Sequence, residues 1–257
     1  MKKKALQVLP LFVALCLLFI QHAYTQDSLV LAKPAPKNYK NVIRYNLSGP
    51  LMFGSKYMVF GYERVLSPKR SFSVNVGRAN LPKLVSITTD SFAVESDRKN
   101  SGFNISFDYR FYLARENKYN APRGLYIGPY YSFNNFKRDN DWKYRNATND
   151  KQVITNTNFN IHTIGFELGY QFVFWNRLTL DLVMVGPGFG YYDLTTKIDG
   201  NLTEAEKEQL RQAVSDVLSQ KFPGMDFVFD DKELNSNGAL RTWTFGYRYM
   251  FQIGFRF

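Results

Sequence analysis

The chain has 257 residues, 33 basic and 22 acidic side chains for a formal charge of +11, and 17% aromatic residues. One cysteine and two histidines leave no material for a disulfide framework, a thiolate site or a histidine-rich metal centre, so neither metal nor cofactor is expected. The basic residues are scattered rather than gathered into a run, which argues against nucleic acid as a partner.

Lys2, Lys3 and Lys4 precede an apolar stretch over residues 5–20, broken by Gln7 and Pro10 and followed by the polar QHAYTQ. That layout predicts a secretory signal over 1–25, since the run falls short of the roughly 20 apolar residues of a spanning helix. Leu15 stands before Cys16, where a lipoprotein signal would carry a small residue, so Cys16 reads as part of the apolar run. Removing the signal leaves a charge of +8 and no cysteine, with His162 as the sole histidine. Residues 26–40 include KPAPK at 33–37 and read as an extended N-terminal linker.

From residue 41 onward, apolar and polar residues alternate in segment after segment, the mark of strands with one apolar face. Residues 41–47 set Ile43, Tyr45 and Leu47 against Arg44 and Asn46; residues 56–65 set Met58, Phe60 and Tyr62 against Gly61 and Glu63. A third strand spans 71–79, with Phe72, Val74 and Val76 outward, and a fourth spans 101–113, with Phe103 to Phe111 opposite Asn104, Ser106, Asp108 and Arg110. The fifth, 124–136, carries Pro129 in its middle, a blemish because proline cannot donate to a ladder. The sixth is 159–175, with Glu167 inward; the seventh is 178–192, with Asp181 inward. The eighth, LRTWTFGYRYMFQIGFRF at 240–257, alternates without a break and presents Trp243, Phe245, Tyr247, Tyr249, Phe251, Ile253, Phe255 and Phe257 on one parity. A soluble sheet would leave such a face uncovered, whereas a bilayer covers it.

The connections give a separate test. They cover 48–55, 66–70, 80–100, 114–123, 137–158, 176–177 and 193–239, and after the first pair they alternate long and short, as outer-membrane barrels require. Eight antiparallel strands in an up-and-down transmembrane β-barrel over 41–257 follow, with both ends on the periplasmic side; an extra hairpin at 226–229 (DFVF) would make the count ten. On these strands, on the aromatic closing segment ending FRF, and on the signal, the chain resembles the small outer-membrane barrels of Gram-negative bacteria of the OmpA/OmpX type. The resemblance implies outer-membrane lipids as surroundings. It also implies the barrel-assembly machinery as a partner during insertion, reading Tyr249, Phe251, Phe255 and Phe257 as the assembly signal, and a monomer displaying its loops to an extracellular ligand.

Inward parity collects Arg44, Arg110, Arg248 and Arg256 with Glu63, Asp108, Glu167 and Asp181. An eight-stranded lumen is filled by side chains, so these charges are expected to pair as a plug rather than line a pore. No catalytic residue is assigned. The enzyme alternative, lipid-modifying or proteolytic, would depend on His162, which shares the outward parity of Ile164 and Phe166 and lacks a hydroxyl two residues on. A narrow solute channel is a third alternative. In the 193–239 loop, with ten acids and five bases, Thr203 and Glu206 form a capping box ahead of Leu210, Ala213, Val214, Val217 and Leu218. An amphipathic helix over 203–221 follows, expected to cap the barrel mouth. The opposite rim is basic, with Arg64, Lys69, Arg70, Arg115, Lys118, Arg123 and Arg177 near the short turns, suited to anionic headgroups. GPGFG at 186–190 reads as a strand bend rather than a phosphate loop.

Overall fold

A computed structural model describes residues 39–80, 92–144, 151–221 and 238–257. The expected signal, residues 26–38 of the linker and the proposed hairpin at 226–229 lie outside them. Ten strand segments and two helices run in the order β1 (Asn41–Asn46), α1 (Ser48–Phe53), β2 (Met58–Ser67), β3 (Arg70–Arg78), β4 (Phe92–Tyr112), β5 (Gly124–Tyr144), β6 (Lys151–Phe174), β7 (Leu178–Val185), β8 (Pro187–Asp199), α2 (Glu204–Lys221), β9 (Ala239–Tyr247) and β10 (Met250–Arg256). All pairings are antiparallel, and the ring β1-β2-β3-β4-β5-β6-β7-β10 closes on β1. The barrel therefore has eight strands. Ten segments arise because the seventh strand divides into β7 and β8 at Gly186, and the eighth into β9 and β10 at Arg248 and Tyr249. No described helix is long and apolar enough to cross a membrane.

Closure is staggered. A row of neighbours runs from Tyr45 through Phe60, Val76, Ile105, Phe133, His162 and Tyr191 to Trp243. Tyr45 itself pairs with Ile253, ten residues further along the same final strand. Such an offset is the shear that makes strands tilt around a barrel axis. At the short-turn end the ring is sealed by reciprocal bonds, Asn41 N–H to Phe257 O at 3.1 Å and Phe257 N–H to Asn41 O at 2.9 Å.

Alternation between buried and exposed residues follows the predicted parity along β2 and β3, residue for residue over most of their length. Pro129 is accommodated because the β4–β5 ladder passes from Asp108–Tyr130 to Phe111–Ile127 without a pair at Gly128 or Pro129. Gly128 makes room there: a Cβ on it would meet Tyr109 O at 1.8 Å.

Four strands run further than their apolar patterns indicate, among them β8, which continues to Asp199 past the expected end at residue 192. β4 starts at Phe92, β5 continues to Tyr144 and β6 starts at Lys151, so much of the expected 80–100 and 137–158 loops is ladder. Beyond Phe136 the outward residues of β5 are Lys137, Asp139, Asp141 and Lys143, while Arg138, Asn140 and Trp142 are buried inside. The extension thus has a polar outer face, and the apolar alternation that marks the lower strands ceases. Trp142 donates its indole N–H to Thr155 Oγ1 at 2.8 Å across the β5–β6 pair.

The seventh strand also changes face. Thr179, Asp181 and Val183 are inward on β7, whereas Leu194 and Thr196 are inward on β8. One extra residue produces the switch, a bulge seen where β6 passes from Gly169–Val183 to Leu168–Val185. The glycines of GPGFG serve this bend: a Cβ on Gly186 would meet Arg248 O at 2.6 Å, and one on Gly188 would meet Ile164 O at 2.6 Å.

Helix α2 begins with the reciprocal capping box: Thr203 N–H donates to Glu206 Oε2 at 2.7 Å and Glu206 N–H to Thr203 Oγ1 at 3.3 Å. Leu210, Ala213 and Val214 are buried, and Lys151 at the upper end of β6 holds Glu206 at 2.9 Å. That hydrogen bond from Lys151, more than the backbone bond of Thr203, holds the Glu206 carboxyl below its ordinary range. Its contribution is present above the ordinary carboxylate pKa and is lost as pH falls through the lowered value. Thr203→Ala should cost α2 about 1 kcal/mol, read as faster amide exchange over residues 204–215 with unchanged protection of β1 to β7.

Candidate functional site

The lumen is built around Arg44, whose two cross-strand neighbours are both glycine, Gly61 on β2 and Gly254 on β10. A Cβ on Gly254 would meet Arg44 Cγ at 2.8 Å, and one on Gly61 would lie 3.3 Å from Arg44 Nε. The two gaps let the long side chain lie across the interior. Its guanidinium donates to Asp181 Oδ2 at 2.7 Å and to the Ser73 hydroxyl, and stands 3.7 Å from Glu63.

Arg110 is the second hub. It donates to Asp108 Oδ1 at 2.6 Å and Asp181 Oδ2 at 2.8 Å, lies 3.8 Å from Glu63 and 3.6 Å from Glu167, and rests over the Tyr126 ring at 4.3 Å. Arg248 reaches Glu167 at 3.4 Å and Asp108 at 3.5 Å, above the Tyr130 ring at 4.9 Å. Hydroxyls complete the network: Ser71 donates to Glu63 at 2.5 Å, Ser73 to Asp108 at 2.8 Å and Tyr126 to Asp181 at 2.7 Å, while Tyr112 donates to Glu63 at 3.0 Å.

Seven of the eight inward charges predicted from parity are thus brought together. The eighth, Arg256, is buried but sits at the turn end, donating to Asn176 Oδ1 at 3.0 Å and Tyr39 O at 2.8 Å. Among the described residues no carboxylate pairs with it within 4 Å, so the contiguous cluster holds three guanidiniums against four carboxylates rather than four against four. Glu167 is the least supplied member, accepting no hydrogen bond from the described residues. Parity turns Ser71, Ser73 and Gln171 inward but does not single out these, or Tyr112 and Tyr126, as supports of the charges, because neutral polar inward residues look alike in sequence until register says which faces which.

His162 lies on the outer face. Its Nδ1 meets the Tyr131 hydroxyl at 2.8 Å and its ring packs 4.5 Å from Phe133 and 6.4 Å from Tyr191. Its surroundings are aromatic, at the level where β5 turns from Phe133 to the charged series beginning at Lys137. The closing-strand residues Tyr249, Phe255 and Phe257 are exposed on the outer face, with Phe251 half-buried beside them. No group of His, Cys, Asp or Glu suited to a metal ion occurs among the described residues.

Because Arg110 is wholly buried against four carboxylates, removing its charge strands them. Arg110→Met should cost about 3–5 kcal/mol of barrel stability, measured by denaturant unfolding in lipid vesicles, with Arg110→Lys intermediate because an ammonium cannot fork between Asp108 and Asp181. The rim substitution Arg64→Met should change stability by under about 1 kcal/mol.

No family model matches the chain, and no curated protein matches it. Among solved structures it is similar to the crystal structure of a major outer membrane protein from Thermus thermophilus, at 11% identity and a TM-score of 0.37, covering 85% of this chain and 98% of that one.

Proposed function

We propose that this protein is an outer-membrane β-barrel of the small OmpA/OmpX-like kind, with a plugged lumen and a structural or surface-interaction role. The observation that carries the reading is the inversion of the usual order: charged Arg44, Glu63, Asp108, Arg110 and Asp181 are buried inside, while Phe60, Tyr62, Phe103, Ile164, Phe166 and Phe255 are exposed outside. A closed ring leaves no open strand edge within its closed part, the condition for a sheet to cross hydrocarbon. The short turns, including the three-residue Trp175-Asn176-Arg177 connection, where Trp175 and Asn176 have φ of 48° and 60°, face the periplasm. The strand extensions and α2 then stand outside the cell, where the acidic connection between β8 and β9, shorter than the expected 193–239 loop, offers a surface for an extracellular partner.

Phe107→Arg places a cation on the apolar band and should lower stability in vesicles by about 2–4 kcal/mol, with Phe251→Arg behaving alike and Lys137→Arg neutral. Equal tolerance at all three would overturn the membrane assignment. In planar bilayers the folded barrel should give little steady conductance. Reproducible, salt-dependent open channels would show that the cluster does not seal the lumen.

A further inference from the structure

The wall of the barrel is breached beside α1. β1 ends at Asn46, paired with Gln252, and one further backbone bond runs from Leu47 N–H to Phe251 O at 2.8 Å. Carried on at the same register, residues 48–51 would lie opposite 250–247 and seal the strand. Instead the sequence SGPLMF turns into α1, for local reasons: Asn46 Oδ1 accepts from Gly49 N–H at 3.1 Å and from the Ser48 hydroxyl at 2.7 Å, and Pro50 has no N–H to give a ladder. Gly54, at φ +89°, then releases the chain toward β2. The Phe251 N–H is met by the Ser48 hydroxyl at 3.3 Å in place of a strand.

A cavity of about 240 Å³ lies at this break. Its lining joins inward residues of the far wall, Asn104, Ser132 and Thr163, to Tyr247 and Tyr249, which belong to the outward parity and are 53% and 46% exposed. The cavity thus reaches from lumen residues of the far wall to strand residues of outward parity, with Met52, Phe53 and Tyr57 of the α1 segment also lining it. Arg248 forms its charged floor, 9% exposed, and Nη1 of that side chain has no hydrogen-bond partner among the described residues. Outside the breach, Leu51 of α1 is 79% exposed and Trp243 and Phe245 continue the apolar surface.

We infer that this side opening holds the head of a glycolipid from the surrounding leaflet, with its acyl chains left against Leu51 and the aromatic face of β9. The inference rests on the membrane placement proposed above. Amides and hydroxyls with both donor and acceptor capacity, flanked by tyrosine rings, match a head bearing many hydroxyls. The positive charge of Arg248 is already engaged by Asp108 and Glu167, so the site offers hydrogen bonds more than net charge. The volume falls below the roughly 300–1,000 Å³ that enclose a drug-sized ligand, which suits a head entering alone.

The test uses the folded full-length barrel in native mass spectrometry, with n-dodecyl-β-D-maltoside as probe and dodecyldimethylamine oxide, of equal chain length, as comparison. The native chain should retain one maltoside at energies that strip the remaining detergent, and should retain no amine oxide. Ser132→Trp and Thr163→Trp, which fill the cavity from two different strands, should each lower maltoside occupancy at least tenfold, and Arg64→Met, at the opposite rim and outside the lining, should leave it unchanged. Heat-shifted gel mobility identifies which variants fold, and two fillers keep the test decisive if one fails. The proposal is overturned by no retained maltoside, by equal retention in a folded filled variant, or by equal retention of amine oxide. Insertion into vesicles is scored separately, so loss of sugar binding and loss of the membrane reading are distinguishable.

Discussion

Closure between the first and last strands sets the terms for the rest of the molecule, because peptide groups left unpaired at a strand edge lined by apolar side chains are costly. β1 contributes only Asn41–Asn46 to this seam, and with the ten-residue stagger the upper part of the last strand rises beyond its reach. β8 supports that upper part on one side, pairing from Pro187–Tyr247 to Thr195–Ala239. On the other side the Leu47 and Ser48 bonds to Phe251 end the seam. A short β1 and a side opening are therefore one structural fact seen twice.

The same seam organises the interior. Arg44 can cross the lumen only because Gly61 and Gly254 stand on either side of it, so the strands that close the ring also supply the cation that joins β7 to β2 and β3. Removing one charge from such a cluster leaves its partners buried and unmatched, which costs more than the pair contributes. The charge cluster is accordingly a device that makes one arrangement of eight strands far better than a slipped one: a one-residue slip of β1 would turn Arg44 outward and put Ile43 among carboxylates.

The sequence discloses the lower part of the barrel well, because an apolar outer face and a polar interior impose strict alternation along β2, β3 and β10. Where the outer face is polar the pattern weakens, and the upper halves of β4, β5 and β6 read as loops although they are laddered strand. Gly186 is visible as a bend within GPGFG, but the change of face it causes depends on the bulge against β6 and so on a tertiary register. Helix α2 is legible from Thr203, Glu206 and the spacing of Leu210, Ala213 and Val214, all local signals. Helix α1 is not, since six residues give too little periodicity, and only Gly49-Pro50 hints that the strand stops. The inward charges can be named from parity, yet the separation of Arg256 from the other seven requires the stagger.

Along β1 the inward residues pass from Arg44 to Asn46, and along β4 from Arg110 and Asp108 to Ser106 and Asn104. The lumen thus passes from ionic to neutral polar at the level where the wall opens, with the buried Arg138 of β5 lying further up. Ion pairs need a surrounding that keeps water out and partners fixed, which the sealed half of the ring provides. An opening beside them would let solvent or a lipid headgroup compete for every guanidinium. Amides and hydroxyls tolerate such exchange, since each can swap one hydrogen bond for another of similar strength. Arg248 stands at the junction, tied below to Asp108 and Glu167 and facing the cavity above. Its position at the break between β9 and β10, where its own N–H bonds to Gly186 O at 2.8 Å, fastens the open half of the wall to the sealed half.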